Sequence, residues 1–223
     1  MSHVPEQIPL PLEAAAAPAQ DAADARAISR EALNLLPIRS YQGPVELVDA
    51  DDAVADAVRR LGEEEVLGFD TETKPVFQAG ISHPPALVQL AGATCTWIFQ
   101  LRRLTKLEPL LDVLANARIL KAGIALADDL RKLRDVQVFQ PANFVEVGEL
   151  ARKLGITQTG LRTLAGLVLG FRVSKREQRS NWARAQLTPS QITYAATDAW
   201  VSRELYLALS RKVAEQSSVA PQP

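Results

Sequence analysis

A single cysteine, Cys95, occurs in 223 residues. That excludes an intrachain disulfide and a cysteine-based zinc site within one chain, and makes a reducing compartment, the cytoplasm, the expected setting. No apolar run reaches the ~18 residues a membrane span requires. The first residues carry no basic stretch followed by an apolar core, so no secretory leader is expected. Positive charge is not in excess either: 25 Lys and Arg stand against 26 Asp and Glu, for a formal net charge of −1. Any nucleic-acid binding would have to rest on a local basic patch, not on bulk charge. There is no Gly-x-Ser-x-Gly elbow and no P-loop to support another α/β hydrolase, and no internal repeat.

What the chain has is apolar content, 47% hydrophobic residues with a mean hydropathy of −0.03. This suits one globular domain with a sizeable core. Residues 1–40 are rich in Ala, Pro and Gln and read as a flexible arm, with a short helix near Ala22–Leu36. Residues 213–223, which include Ser-Ser-Val-Ala-Pro-Gln-Pro, read as a disordered tail. The span 41–212 carries the periodic pattern. Strands are expected at Pro44–Val48, Val66–Thr71, Ala86–Ala91, Cys95–Phe99, Arg118–Ala122 and Phe144–Val147, with a hairpin turn at Gly92-Ala93-Thr94. Helices are expected at Asp51–Leu61, Lys106–Ala115, Leu126–Arg134, Gly148–Leu154 and Leu161–Leu169. The last helix has Thr188 as N-cap and Pro189 at its first position, and runs to about Lys212. This order predicts an α/β single domain, a mixed β-sheet flanked by helices.

Three acidic groupings stand out. Asp70 and Glu72 close an apolar strand, and period-2 alternation puts them on one face. They repel unless a cation lies between them, although a charged strand end facing solvent would look the same. Asp128 and Asp129 open a helix after a strand, where the helix dipole favours carboxylates in any case. Tyr194 and Asp198, four apart on the last helix among small residues, share a face, which also fits a core tyrosine bonded to a carboxylate. Should the three stretches meet, four carboxylates would suit two hard divalent ions, Mg²⁺ or Mn²⁺.

Three segments together resemble the DEDD exonuclease superfamily. They are Phe69-Asp70-Thr71-Glu72-Thr73, Lys121–Leu133, and Tyr194-Ala195-Ala196-Thr197-Asp198 in the version with tyrosine (DEDDy). The chain is similar to ribonuclease D-like enzymes. Ser180-Asn181-Trp182 followed by Leu187-Thr188 resembles the Werner-type branch in particular. The resemblance implies a ribonuclease H-like fold and a 3′→5′ exonuclease acting on single-stranded 3′ ends, DNA favoured over RNA, with nucleoside 5′-monophosphates as products. It also implies that Asp70, Glu72, Asp129 and Asp198 hold two Mg²⁺ or Mn²⁺ ions while Tyr194, with Glu72, orients the nucleophile. Asp128 occupies a position that is often glycine in relatives, and its extra charge is expected to modify metal or substrate affinity. A catalytically silent nucleic-acid-binding module would be expected to have lost one of these ligands.

The local basic patch is expected at Phe171–Arg184, where Arg172, Lys175, Arg176, Arg179 and Arg184 outnumber Glu177. Trp182 could stack a base or fill the core. Lys121 could face phosphate or merely close a strand. Cys95 is most simply a small core residue; His83 could approach substrate or be incidental in its Pro-rich loop, and the Lys74–Pro85 segment around it suggests no role.

Overall fold

A computed structural model describes residues 26–76 and 82–219. Six strands form one mixed sheet: β1 (Val45–Val48), β2 (Val66–Thr73), β3 (Pro85–Ala91), β4 (Thr96–Gln100), β5 (Leu120–Gly123) and β6 (Phe144–Glu146), in the order β1-β4-β3-β2-β5-β6. β2–β3 and β3–β4 are antiparallel, while β1–β4, β2–β5 and β5–β6 are parallel. The expected hairpin joins β3 to β4, closed by Gly92 N–H donating to the Cys95 carbonyl at 2.9 Å.

The helices are α1 (Arg30–Leu35), α2 (Asp51–Leu61), α3 (Glu108–Ala115), α4 (Leu126–Val136), α5 (Val147–Lys153), α6 (Leu161–Leu164) and α7 (Pro189–Val219). In α2, Asp51 and Asp52 sit in the first turn and Arg59 and Arg60 in the last, each at the dipole end it favours. α2, α3 and α4 cover one face of the sheet. There Val54, Leu61, Leu110, Leu114 and Leu133 pack on Leu67, Phe69, Leu90 and Phe99. α5 and α7 cover the other face, with Val147, Ala151, Val201, Leu205 and Leu209 in its core.

α7 starts as expected and reciprocally. Thr188 Oγ1 accepts from Gln191 N–H, and Gln191 Oε1 accepts from Thr188 N–H. It runs on to Val219, so residues 213–219 are helical and not the tail their composition suggested; residues 220–223 lie outside the described residues. A helix already nucleated and packed propagates cheaply, and Ser217 and Ser218 bond back to carbonyls of the same helix.

Residues 26–40 also depart from the arm reading, for they lie along the domain. Leu33 is buried, and a side chain at Gly166 would collide with Leu33 and Leu36. Gly166 lies in a π-turn, Ala165–Leu169, that interrupts the helix expected over Leu161–Leu169. Residues 22–25 of the expected short helix lie outside the described residues.

Candidate active site

Two features bring α7 onto β2. Gly68 has no side chain, and a Cβ there would sit 1.9 Å from the Ala199 carbonyl, so helix and strand backbones touch at this point. Arg203 Nε donates to the Val66 carbonyl at 3.1 Å, one turn further on. With Gly68 facing α7, alternation turns Asp70 and Glu72 the same way. Asp198 lies one residue before the contact point. Carboxylate oxygens of Asp70, Glu72 and Asp198 accordingly lie within 4.8 Å of one another.

Asp129 stands beside this group rather than in it. The link from β5 to α4 is sharp, with Ala125 in the left-handed region at φ 59°. Glu146, at the end of β6, accepts from Leu126 N–H at 3.0 Å and from Gly148 N–H at 3.2 Å, fixing the starts of α4 and α5. The first turn of α4 then brings Asp129 to the edge of β2, where its carboxylate accepts a 2.5 Å hydrogen bond from Thr71 Oγ1.

Burial first, and like charge second, disfavour ionisation here. Asp70 is raised well above its ordinary value by burial, then by Asp198 and Asp129. Glu72 is pushed up to about 10 by burial, then by Asp70, Asp198 and Asp129. Burial takes Asp198 to about 7, against the lowering effect of the Tyr194 hydroxyl. Burial also raises Tyr194, with Asp198 and Glu72 adding to the effect, so it stays protonated throughout the neutral range. Asp198 Oδ1 is buried without a hydrogen-bond partner. Buried oxygens that repel one another and lack donors fit a hard cation better than any neutral ligand.

Asp128 turns outward and pairs with Arg131 at 2.5 Å and Lys132 at 2.7 Å. Hydrogen bonds from those two residues lower its pKa, so its charge is largely compensated locally.

The expected basic patch divides. Lys121 is fully buried. It donates to the Asn116 and Ile119 carbonyls and lies over the Phe144 ring, with its pKa lowered to about 8 by burial. Strand alternation points it away from α7, so it cannot meet phosphate. Trp182 is also fully buried, against Ala86, Leu87, Ile98, Ala195 and Ala196, and is therefore a core residue that cannot stack a base. Arg172 is half-buried and its Nε donates to the Leu36 carbonyl, so it fastens the N-terminal segment. Lys175, Arg176, Arg179 and Arg184 are exposed. Lys175 and Arg176 line cavities on either side of Tyr194. One, of about 260 Å³, runs past Gly160–Thr163, Ser174, Lys175 and Gln178 to Tyr194 and Asp198. The other, of about 380 Å³, lies among Ile38–Ser40, Arg176, Glu177, Ser190 and Thr193. Cys95 is buried, as its small apolar character suggested. His83 lines a cleft with Lys132, Asp135 and Val136, and residues 77–81 of the neighbouring segment lie outside the described residues.

Sequence reasoning missed four residues around the centre: Thr71, Glu146, Arg162 and Gln89. Gln89 pairs directly with Asp70 across β2 and β3, is fully buried, and has no partner for either amide atom. A glutamine amid the apolar run Ala86-Leu87-Val88-Gln89-Leu90 was the available signal. The roles of Thr71 and Glu146 depend on contacts 58 and 20 residues distant in sequence, and nothing local marks them.

The match to known proteins agrees with this arrangement. Residues 45–214 match the family described as 3′-5′ exonuclease. The bifunctional 3′-5′ exonuclease/ATP-dependent helicase WRN of Mus musculus is 32% identical over 182 residues, covering 77% of this chain and 13% of that protein. Ribonuclease D of Haemophilus influenzae is 28% identical over 185 residues, covering 80% of this chain and 45% of that protein. This chain therefore aligns with less than half of either relative's length. In fold, the EXO domain of Aedes aegypti Nibbler superposes with a TM-score of 0.71 at 22% identity, covering 81% of this chain and 93% of that domain. With its mixed six-stranded, ribonuclease H-like sheet, the chain belongs to the 3′-5′ exonuclease family of the DEDD superfamily.

Proposed function

We propose that this chain removes nucleotides from the 3′ end of single-stranded nucleic acid, DNA in preference to RNA, releasing nucleoside 5′-monophosphates. The observation that carries this reading is the convergence of Asp70, Glu72 and Asp198 within 4.8 Å beside Tyr194. Asp70, Glu72 and Asp198 would hold divalent ions, Mg²⁺ or Mn²⁺, two in number. Asp129, held by Thr71, would take the outer position. Such ions would stabilise the attacking and leaving oxygens of an in-line displacement and make water more acidic.

The side chains do the rest. Tyr194, kept protonated by its surroundings, is a hydrogen-bond donor and not a base. With Glu72 it orients the attacking water, a contribution of geometry. Thr71 orients Asp129, while Gly68 and Arg203 fix the distance between β2 and α7 on which the spacing of the carboxylates depends. The DNA preference rests on the Werner-type stretch Ser180-Asn181-Trp182. The similarity to ribonuclease D makes RNA the alternative substrate.

The test uses 5′-labelled single-stranded DNA, duplex DNA and RNA, each with Mg²⁺, Mn²⁺ or EDTA. A descending ladder that needs metal, fastest on single-stranded DNA, is expected. Cleavage at internal positions, or none on any substrate, would overturn the reading, and a faster RNA ladder would exchange the substrate.

A further inference from the structure

The family match begins at residue 45, yet residues 26–41 before it are fastened to the domain at several points. Thr157 N–H donates to the Arg26 carbonyl, and Ile28 N–H to Gln158 Oε1. Arg162 donates to Asn34 Oδ1 at 2.8 Å. Arg172 reaches the Leu36 and Pro37 carbonyls, and Arg39 N–H returns a bond to the Arg172 carbonyl. Tyr41 N–H donates to Thr197 Oγ1, one residue from Asp198. Ser29 caps α1, and Leu33 is seated against Gly166.

This strap passes beside the path out of the centre. The cavity that ends on Tyr194 and Asp198 shares Arg162, Thr163 and Lys175 with a further cavity of about 380 Å³, which the strap closes with Ile28, Arg30, Leu33 and Asn34. The two therefore adjoin along Arg162, Thr163 and Lys175, between the carboxylates and the strap. Among the described residues their cations are Arg162, Lys175 and Arg30, and their one carboxylate is Asp198 of the centre itself. Among the described residues none of these three cations makes a salt bridge, and Arg162 Nε is buried without a partner. The cavity on the other side of Tyr194 includes Glu177 and is less suited to an anion.

A cleft that gathers three cations outside any salt bridge, with Asp198 its one carboxylate at the far end, suits an anion. We infer that the strap completes the substrate groove, and that Arg30, with Lys175 and Arg162, holds backbone phosphates of the strand upstream of the terminal nucleotide. This rests on the nuclease reading only for the identity of the strand. Rigid fastening limits the ordering cost on binding.

The experiment compares the full chain with Arg30→Gln, Arg30→Lys, Lys175→Gln and, as a distant exposed control, Arg118→Gln. Binding of a fluorescently labelled eight-nucleotide single strand is followed by anisotropy in EDTA across a salt series, so that no turnover is needed. Arg30→Gln and Lys175→Gln are each expected to weaken binding about tenfold and to lower the log–log salt slope by about one. Arg30→Lys should restore most of the slope, and Arg118→Gln should change neither quantity. With metal, the ratio of kcat/KM for the eight-nucleotide strand to that for a dinucleotide should fall about tenfold in Arg30→Gln. An unchanged slope and affinity in Arg30→Gln, or an equal loss in Arg118→Gln, would reduce the strap to a structural fastening. A wild-type chain that binds the strand with Arg30 dependence but cuts nothing would sink the nuclease reading and leave this one standing.

Discussion

The two faces of the sheet are built to opposite rules. Under α2, α3 and α4 the strands present Leu67, Phe69, Val88, Leu90 and Phe99, and the core is almost wholly apolar. Under α7 the same strands mix Leu87 and Ile98 with Gly68, Asp70, Glu72, Gln89, Thr96 and Gln100. Buried atoms without hydrogen-bond partners gather there: both amide atoms of Gln89, Thr96 Oγ1, Gln100 Oε1, Trp182 Nε1 and Asp198 Oδ1. On the first face, among the described residues, only Trp97 Nε1 is in that condition. Each such buried group costs about 1–3 kcal/mol. The polar patch around the centre thus gives up stability that apolar packing elsewhere supplies, as expected where a site is held in a state that suits its ligand better than its own fold.

This contrast can be broken most directly at its acidic end. Asp198→Asn keeps the shape and removes a buried charge. Nuclease turnover is expected to fall about a thousandfold or more, while the metal-free melting temperature rises. A variant that keeps its turnover, or melts lower, would show that Asp198 serves packing.

The opposite outcome is expected from the dry face. Leu114→Ala empties a fully buried site in α3. It should cost about 2–5 kcal/mol, at roughly 2–4 °C per kcal/mol, with kcat of the folded fraction nearly unchanged. A large fall in kcat would mean that the two faces are coupled.

Acidity sharpens the contrast further. Because burial raises Asp198 to about 7 and Glu72 to about 10, from ordinary values of 3.8 and 4.5, the folded metal-free chain binds more protons than the unfolded one over that range. Its stability is therefore full below the ordinary carboxylate values and falls as pH rises through about 7 and toward 10. Asp51, Asp56 and Asp128, whose pKa values are lowered, act in the opposite sense and at lower pH. Melting curves without metal should decline from pH 5 to 9, and Mn²⁺ should remove most of the decline. A flat metal-free profile would contradict the burial of these charges.

The smallest effect is at Gln89. Gln89→Leu replaces an unpartnered amide with an apolar group of similar volume, and is expected to stabilise the metal-free chain by about 1 kcal/mol. Destabilisation in a thermal melt would mean that the amide already has a partner.

Much of this was legible in order along the chain. Alternation placed Asp70 and Glu72 on one face of β2, the i,i+4 spacing placed Tyr194 and Asp198 on one face of α7, and Thr188-Pro189 marked where α7 begins. These are consequences of strand and helix geometry, which operate over a few residues. What was not legible has one cause, burial. Residue type leaves Lys121 and Trp182 open between a nucleic-acid contact and a structural role, and packing decides for the structural one: Lys121 lies over Phe144 with its ammonium on the Asn116 and Ile119 carbonyls, and Trp182 lies among Ala86, Leu87 and Ile98. Residues 26–40 resemble linker in composition, and contacts with residues more than 120 positions away, Gly166, Arg162 and Arg172 among them, make them part of the domain.

By itself, then, the sequence determined the periodic elements, the carboxylates and the faces that carry them, because those follow from local backbone geometry. Tertiary structure alone decided which carboxylates meet, that Asp129 is tied to Thr71 beside the other three, and which cations remain free to face the cleft. Those outcomes depend on the close approach at Gly68 and on burial by distant residues, and burial belongs to the packed whole rather than to any stretch of chain.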